Sequence, residues 1–417
     1  MLTVSNRSLK GLDWFNFFVA NVQTGFGPFV AVYLTLHSWT GLAIGGVLSL
    51  GTIIAMASQL PAGALVDWMA GKRLAAALGV GAIAASALLF IFLPTEFGVG
   101  LAEILHGFAS CMLNQAIAAI SLALVARHVL GERLGRNARF ASLGNGLSAT
   151  VMGIAGFYLA SASVFVLTAL LAVPALVALS AIQPAPTLRR EPLIRRRRRS
   201  LRQLGRLFLD RRLIAFMICI ALFQLSDAAM LPFLGDRIAA RGGQFANLVI
   251  GAAIVWPQLV VAALAPAVGW AAERYGRRFV MLAGFAALPL RGLLFAVVNG
   301  PIALMAIQGL DGIGAAVIGV LLPLIAADIA AERGHFNLTM GAIGLAAGGG
   351  AAVSTTLAGA VQDLLGNHAA FGALAAAGLV ATLLAWLIMP ESGPGAPGAG
   401  TVAPVAPAGV HPVSQSS

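Results

Sequence analysis

Long apolar runs are the feature of this chain that most limits its fold. A bilayer core about 30 Å thick requires roughly 20 apolar residues in each helix that crosses it. Strands of a membrane barrel would instead alternate in polarity over about ten residues. Runs of the helical length recur along the chain, so we predict an all-α membrane protein. The twelve predicted spans cover residues 12–35, 41–66, 74–93, 97–126, 140–161, 164–182, 213–234, 247–271, 279–299, 301–328, 338–365 and 370–389.

The composition supports a membrane location. Of the 417 residues, 59% are hydrophobic and only 10% are charged, and the mean hydropathy is +0.91. A water-soluble globule carries far more charge on its surface. The chain has two cysteines, Cys111 and Cys219, and both fall inside predicted spans, so we expect no disulfide framework and no metal site. The first run is too long for a cleavable leader, and no small-residue cleavage pattern follows it.

The basic residues predict the orientation. Of 26 Lys and Arg residues, 23 lie in the N-terminal segment and alternate connections, two lie in the other connections, and Arg291 lies inside a span. The positive-inside rule therefore predicts cytoplasmic termini. The Arg-rich run 189–212 is interpreted as a topology signal that contacts anionic lipid, not nucleic acid. Abundant Arg, Ala and Gly suggest a GC-rich genome, hence a bacterium and its inner membrane.

The chain contains an internal repeat. A charged turn, "GALVDWMAGKR" (Gly63–Arg73), recurs as "GWAAERYGRR" (Gly269–Arg278), with the leading glycines 206 residues apart. "AEILHGFA" (Ala102–Ala109) likewise corresponds to "IQGLDGIG" (Ile307–Gly314), 205 residues later. The repeat predicts two six-helix halves, 1–182 and 213–390, joined by a cytoplasmic linker, 183–212. A tail rich in Pro, Gly and Ala, 391–417, is predicted to be disordered.

This arrangement resembles the major facilitator superfamily over about residues 10–390. The family's loop motif runs Gly, three residues, Asp or Glu, Arg, any residue, Gly and two basic residues. The second turn matches every position; in the first, Trp68 replaces the Arg and one extra residue precedes the second Gly. The resemblance implies two pseudo-symmetric six-helix bundles around a central cavity, and a gating role for both loops. The gating candidates are Gly63, Asp67, Gly71, Lys72, Arg73, Gly269, Glu273, Arg274, Gly276, Arg277 and Arg278.

Elementary electrostatics suggests how the loop carboxylates would act. Asp67 and Glu273 each lie at the end of a span, where they can meet an Arg or a helix N-terminus of the other half. A contact made in only one conformation biases a two-state equilibrium by about 1–3 kcal/mol. The alternative is that the turns only fix the topology.

The resemblance also implies that spans one, four, seven and ten line the cavity near the bilayer midplane. Polar residues in these spans are candidates for solute binding. They are Asn21, Gln23, His106, Asn114, Gln224 and Gln308.

Ionisable residues inside spans are functional candidates because a charge there is costly. Burial favours the neutral form of such a group, so a proton gradient could drive it to bind and release a proton. Asp227 and Asp311 are the first candidates for proton coupling, followed by Glu103, for which a solvated position at the rim is an equal alternative. Arg291 must snorkel or pair, and Asp311 on the next span is a possible partner. Such a pair would make Asp227 the better proton carrier.

The resemblance therefore implies a secondary active transporter that works by alternating access. Proton-coupled efflux of a small organic solute is the first hypothesis, and uptake is the alternative. The drug/proton antiporter pattern is altered, because Glu103 stands where an Arg is expected before Gly107. A transporter-like sensor is a more distant alternative. We expect no enzyme, since the sequence lacks HExxH, a phosphate-binding GxxxxGK[ST] and a paired nucleophile and base. We expect a monomer with no cofactor, coupled to protons.

Overall fold

The computed structural model describes residues 5–24, 26, 28–183, 208–239, 246–333 and 335–389, and its regular elements are helices. Most of the predicted linker, 184–207, and the predicted tail lie outside the described residues. The domain boundaries placed there therefore stay predictions.

Fourteen α-helices follow one another in the described chain. The first half contains α1 (Asn6–Thr24), α2 (Pro28–Leu36), α3 (Gly41–Trp68), α4 (Lys72–Phe92), α5 (Glu96–Leu124), α6 (Leu130–Tyr158) and α7 (Ser163–Ser180). The second half contains α8 (Arg211–Asp227), α9 (Met230–Ala239), α10 (Ala246–Tyr275), α11 (Arg277–Val297), α12 (Pro301–Arg333), α13 (Phe336–Leu365) and α14 (Asn367–Ile388).

Eleven helical stretches of the described residues are long and apolar enough to cross a membrane. They correspond to every predicted span except the fifth. The fifth is α6, a helix of 29 residues that carries Glu132, Arg133, Arg136 and Arg139 in its first turns. At 1.5 Å per residue α6 is about 44 Å long, which exceeds the hydrocarbon thickness.

The first and seventh predicted spans are each broken into two helices. The first breaks between Thr24 and Pro28, and the seventh between Asp227 and Met230, at equivalent points of the repeat. Breaks inside a membrane require partners for the freed backbone groups. In the seventh span, the Ala229 amide donates to Ser354 Oγ at 3.2 Å. Discontinuous spans of this kind commonly form binding sites in secondary transporters.

The two halves meet mainly along two helix pairs, α3 with α13 and α6 with α10. The leading glycines of the charged turns lie at these contacts. A methyl group on Gly63 would overlap Asn337 O, and one on Gly269 would overlap Gly131 O. Farther along α3, a methyl group on Gly41 or Gly45 would meet no atom within 4 Å. The halves are therefore in close contact at the end that carries the charged turns, which we call the predicted cytoplasmic side.

We expect Gly63→Ala to disfavour this closed packing, because the added methyl group cannot fit against a backbone carbonyl. Overpacking of this kind costs about 1–3 kcal/mol, enough to shift the population towards separation of the two halves. The measurement is the distance between spin labels at Leu74→Cys and Phe279→Cys, exposed positions on the predicted cytoplasmic ends of α4 and α11. Gly45→Ala is the matched control. Equal distance distributions in both variants would contradict the prediction.

Candidate functional site

A cavity of about 450 Å³ lies between the two halves. Helices α1, α5 and α6 line it from the first half, and α10, α12 and α13 from the second. None of its lining residues is charged or aromatic. Its polar residues are Asn16, Gln23, Asn114, Asn137, Ser142, Asn145 and Gln258.

Two of the predicted solute-binding residues, Gln23 and Asn114, line this cavity. Asn21 does not, because it is buried and donates to Phe17 O at 2.7 Å on its own helix. The His106 ring stacks on the Phe26 ring, with centroids 3.8 Å apart, inside the first half. Gln224 and Gln308 are also absent from the lining.

The sequence reasoning missed the cavity residues outside the four spans it considered. Asn137 and Asn145 come from α6, and Gln258 from α10. Asn16 lies within a considered span, seven residues before Gln23. Seven residues are close to two helical turns, so the shared face could have been found from spacing alone.

The amide groups of the cavity differ in their hydrogen bonding. Asn137 is fully engaged, since it accepts from Arg133 Nε at 2.9 Å and donates to Ser121 Oγ at 2.7 Å. Within the described chain, the side chains of Gln23, Asn114 and Gln258 have no protein partner. These three amides are therefore available to a bound solute.

Arg291 lies at the centre of a charge cluster in the second half. Its side chain is 1% exposed, and Nη1 lies 2.5 Å from Asp227 Oδ1 and 2.8 Å from Asp311 Oδ1. Nη2 donates to Gln308 Oε1 at 3.2 Å, and Gln308 Nε2 donates to Asp311 Oδ2 at 3.3 Å. The hypothesised pair of Arg291 with Asp311 is thus present, and Asp227, at the break after α8, shares the same guanidinium.

One guanidinium therefore serves two carboxylates. With Asp227 and Asp311 both ionised, the cluster carries a net charge of −1, which a low-dielectric interior penalises strongly. A single proton on either carboxylate makes the cluster neutral. None of its residues lines the central cavity.

Glu103 is the third ionisable candidate, and it is 5% exposed. The rim position considered from the sequence therefore does not hold. Its Oε1 has no hydrogen-bond partner, and the described residues provide it with no ion pair. An isolated buried carboxylate is so costly that this group must be neutral in this conformation. It packs against Gly51, which has no side chain to displace it.

Both loop carboxylates bind a helix N-terminus of the opposite half. Asp67 accepts from Asn337 Nδ2 at 2.8 Å and from the Leu338 amide at 3.1 Å, in the first turn of α13. Glu273 Oε1 accepts from the Gly131 amide at 2.9 Å, in the first turn of α6. The free amides and the positive dipole end of a helix stabilise a carboxylate there. These contacts exist only while the predicted cytoplasmic side is closed.

The second turn adds a charged network to this contact. Arg277 lies 3.1 Å from Glu273 Oε2 and 3.1 Å from Asp328 Oδ2. Asp328 in turn binds Arg127 of the first half at 3.1 Å. Gly276 has φ of +95°, a backbone conformation that favours glycine.

The remaining motif residues make local contacts. Lys72 Nζ donates to Met69 O at 3.0 Å, which caps the end of α3. Arg73 donates to Ser180 O at 3.3 Å, and Arg278 donates to Trp386 O. Arg274 lies 5.4 Å from the centroid of the Trp270 ring. Gly71 has φ of −103°, which any residue can adopt, so the first turn has no conformational need for glycine there.

A buried carboxylate near the start of the chain was not singled out from the sequence. Asp13 on α1 binds Arg136 Nη2 at 2.6 Å and also binds Arg133. Arg133 in turn holds Asn137, at the cavity wall. This cluster joins α1 to α6 within the first half.

Two packed helical halves with a polar cavity between them are the architecture of secondary transporters. The sequence model of the Major Facilitator Superfamily matches residues 12–246 and 216–413, so the chain belongs to this family. It is therefore an integral, multi-pass membrane protein.

Similar proteins agree with this assignment. The chain is 34% identical over 409 residues to an uncharacterized MFS-type transporter of Mycobacterium tuberculosis, covering 94% of this chain and 95% of that protein. Among solved structures, the human organic anion transporter superposes with a TM-score of 0.72 at 17% identity, covering 91% and 99% of the two chains. The fucose:proton symporter of E. coli also gives a TM-score of 0.72 at 17% identity, covering 90% and 97%. At these identities the structures show a shared fold.

Removing the shared cation should destabilise the second half. Arg291→Ala leaves two partly buried carboxylates without a counter-charge, at a cost of up to about 3 kcal/mol. We expect a lower melting temperature and a lower yield of folded protein, and a smaller loss when Asp311→Asn is added. The exposed Arg7→Ala is the control. Strictly additive losses in the double variant would contradict the shared pairing.

Removing a loop carboxylate should open the predicted cytoplasmic side. Asp67→Ala and Glu273→Ala each remove hydrogen bonds to the other half, and we expect a shift of about 1–3 kcal/mol. The measurement is the reaction of a cysteine at Ala138, in the cavity wall, with an impermeant thiol reagent added on that side. The control is Glu132→Ala, whose carboxylate is exposed next to Gly131. Equal rates in all variants would favour a purely topological role for the turns.

Proposed function

We propose that this protein is a proton-coupled secondary transporter that moves a small organic solute by alternating access. The observation that carries the proposal is the sharing of one guanidinium, that of Arg291, by Asp227 and Asp311. Such a cluster is neutral with one proton bound and carries a net charge of −1 without it, so a proton gradient can change its charge state. We further propose that the protein acts as a monomer, without a cofactor or a chemical reaction, with its termini in the cytoplasm.

Proton binding can be coupled to movement through the broken seventh span. Asp227 ends α8, while Arg291 and Asp311 lie on α11 and α12. Protonation of Asp227 weakens its attraction to Arg291, and deprotonation restores it. The three helices are held together by these contacts, so the charge state biases their relative position. The loop carboxylates would hold the predicted cytoplasmic side closed until this bias changes.

The position of the cluster bears on the direction of transport. The sequence favoured efflux in exchange for protons. The simplest form of exchange makes proton and solute compete for one site, yet neither Asp227 nor Asp311 lines the cavity. Separate sites allow both to be bound at once, which favours co-transport. In a cell whose proton gradient drives protons inward, co-transport means uptake. We therefore place proton-coupled uptake ahead of efflux.

The carrier residues can be tested in proteoliposomes with a transported solute. Asp227→Asn and Asp311→Asn each remove a group that can exchange a proton, so we expect loss of accumulation driven by a pH gradient, at least tenfold. Solute counterflow, which needs no gradient, should remain. The control is Glu103→Gln, because glutamine mimics the neutral carboxyl that this buried position requires, and driven transport should survive.

Driven accumulation in both aspartate variants would reject the cluster as the proton site. Loss of driven transport in Glu103→Gln alone would assign the proton to Glu103 instead. The direction is read from the sign of the pH change inside the vesicles, measured with a trapped indicator dye. Alkalinisation of the compartment that loses solute would indicate co-transport, and acidification would indicate exchange.

A further inference from the structure

The chemistry of the cavity indicates what kind of solute it accepts. The lining contains no Asp, Glu, Lys, Arg or His. The charged side chains nearest to it in sequence are bound elsewhere: Asp13 holds Arg133 and Arg136, and Arg139 donates to Ala262 O at 2.8 Å. A charged solute would lose its hydration on entering and gain no counter-charge in return. The cavity therefore disfavours organic anions and cations.

Aromatic side chains are also absent from the lining. Organic cations without an acidic partner are commonly held on aromatic faces, and planar aromatic compounds gain affinity from stacking. Neither contact is offered here. The apolar part of the wall consists of small and branched aliphatic residues such as Ala141, Val261 and Ile318.

The free amides of the cavity recognise a solute by hydrogen bonds. Gln23, Asn114 and Gln258 each carry one acceptor oxygen and two donor hydrogens. A hydroxyl group both donates and accepts, so a solute with several hydroxyls can satisfy both ends of each amide. An apolar solute would displace water from these amides and, once it covers them, leave them unpaired, which is costly. The amide set thus selects an uncharged solute with many hydrogen-bonding groups.

The three amides also come from both halves of the molecule. Gln23 is on α1 and Asn114 on α5, whereas Gln258 is on α10. A solute that binds all three connects the halves across the cavity and so binds best when they are close. Such differential affinity is what allows a ligand to shift a conformational equilibrium.

We infer that the solute is an uncharged polyhydroxylated molecule, of the sugar or polyol class, held by Gln23, Asn114 and Gln258. This inference rests on the transport function proposed above and names its substrate class. A volume of about 450 Å³ falls within the range of small-molecule sites.

The first test measures the melting temperature of the purified full-length protein against three sets of probes. These are neutral hexoses, pentoses and hexitols; the anions benzoate and citrate; and the cation tetraphenylphosphonium. We expect a sugar or polyol to raise the melting temperature and to be exchanged in counterflow. A charged probe that both raises the melting temperature and undergoes counterflow would overturn the inference. So would a result in which none of the neutral probes does either.

The second test assigns the binding residues. Asn114→Leu and Gln258→Leu keep the approximate size of the side chain and remove its amide, so we expect each to weaken binding of the identified sugar or polyol about tenfold. The control is Gln362→Leu, since that amide binds Asn367 Oδ1 at 2.6 Å, outside the cavity. An unliganded melting temperature close to that of the wild type verifies folding. Unchanged affinity in both cavity variants would overturn the assignment.

The outcomes separate this inference from the proposed proton coupling. A sugar that undergoes counterflow but is not accumulated when a pH gradient is imposed would retain the substrate class and reject proton coupling. Proton flux that accompanies a charged solute would support proton coupling and reject the substrate class.

Discussion

A charge buried in a hydrocarbon layer must have a counter-charge, and the second half of this protein is organised around one such requirement. Arg291 comes from the ninth span, which is not one of the four spans expected to line the cavity, yet its guanidinium is buried and joins three helices through Asp227, Asp311 and Gln308. The break in the seventh span places Asp227 at a helix end, next to this cation. Because two carboxylates share one guanidinium, binding of one proton neutralises the cluster. The same charges therefore affect both the stability of the second half and the proposed transport.

The contact between the halves relies on a second general feature, the positive end of a helix. Asp67 and Glu273 occupy equivalent positions in the two repeats, and each accepts a backbone amide at the start of a helix in the other half. The leading glycines of the same motifs allow the backbones to approach closely enough for these bonds to form. The glycine and the carboxylate of each motif thus act on the same contact. The glycine permits the close approach of the helices, and the carboxylate stabilises it.

Much of this architecture was predictable from the sequence, because the membrane imposes simple rules on length and polarity. The spans, the repeat and the family all follow from apolar runs and the offset of two charged turns. The cavity lining was predicted less well, since the side of a helix that faces a cavity depends on rotation about its axis and on its neighbours. Gln23 and Asn114 were predicted, whereas Asn145 and Gln258 lie on spans outside the four that were expected to line the cavity. The rotation of α5 similarly buries Glu103, and packing against Phe26 removes His106 from the cavity.

The two charged turns resemble each other in sequence but hold the halves together by different means. Among the described residues, the Asp67 carboxylate accepts from an amide side chain and backbone donors, whereas the Glu273 contact extends through Arg277 and Asp328 to Arg127, whose side chain is 51% exposed. Ions in solution screen an exposed ion pair far more than a buried hydrogen bond. Ionic strength therefore acts unequally on the contacts of the two turns: it weakens the pair between Arg127, just before α6, and Asp328 on α12 before it weakens the hydrogen bonds of Asp67. Under high salt the molecule would part asymmetrically, with the contact between α3 and α13 serving as the hinge.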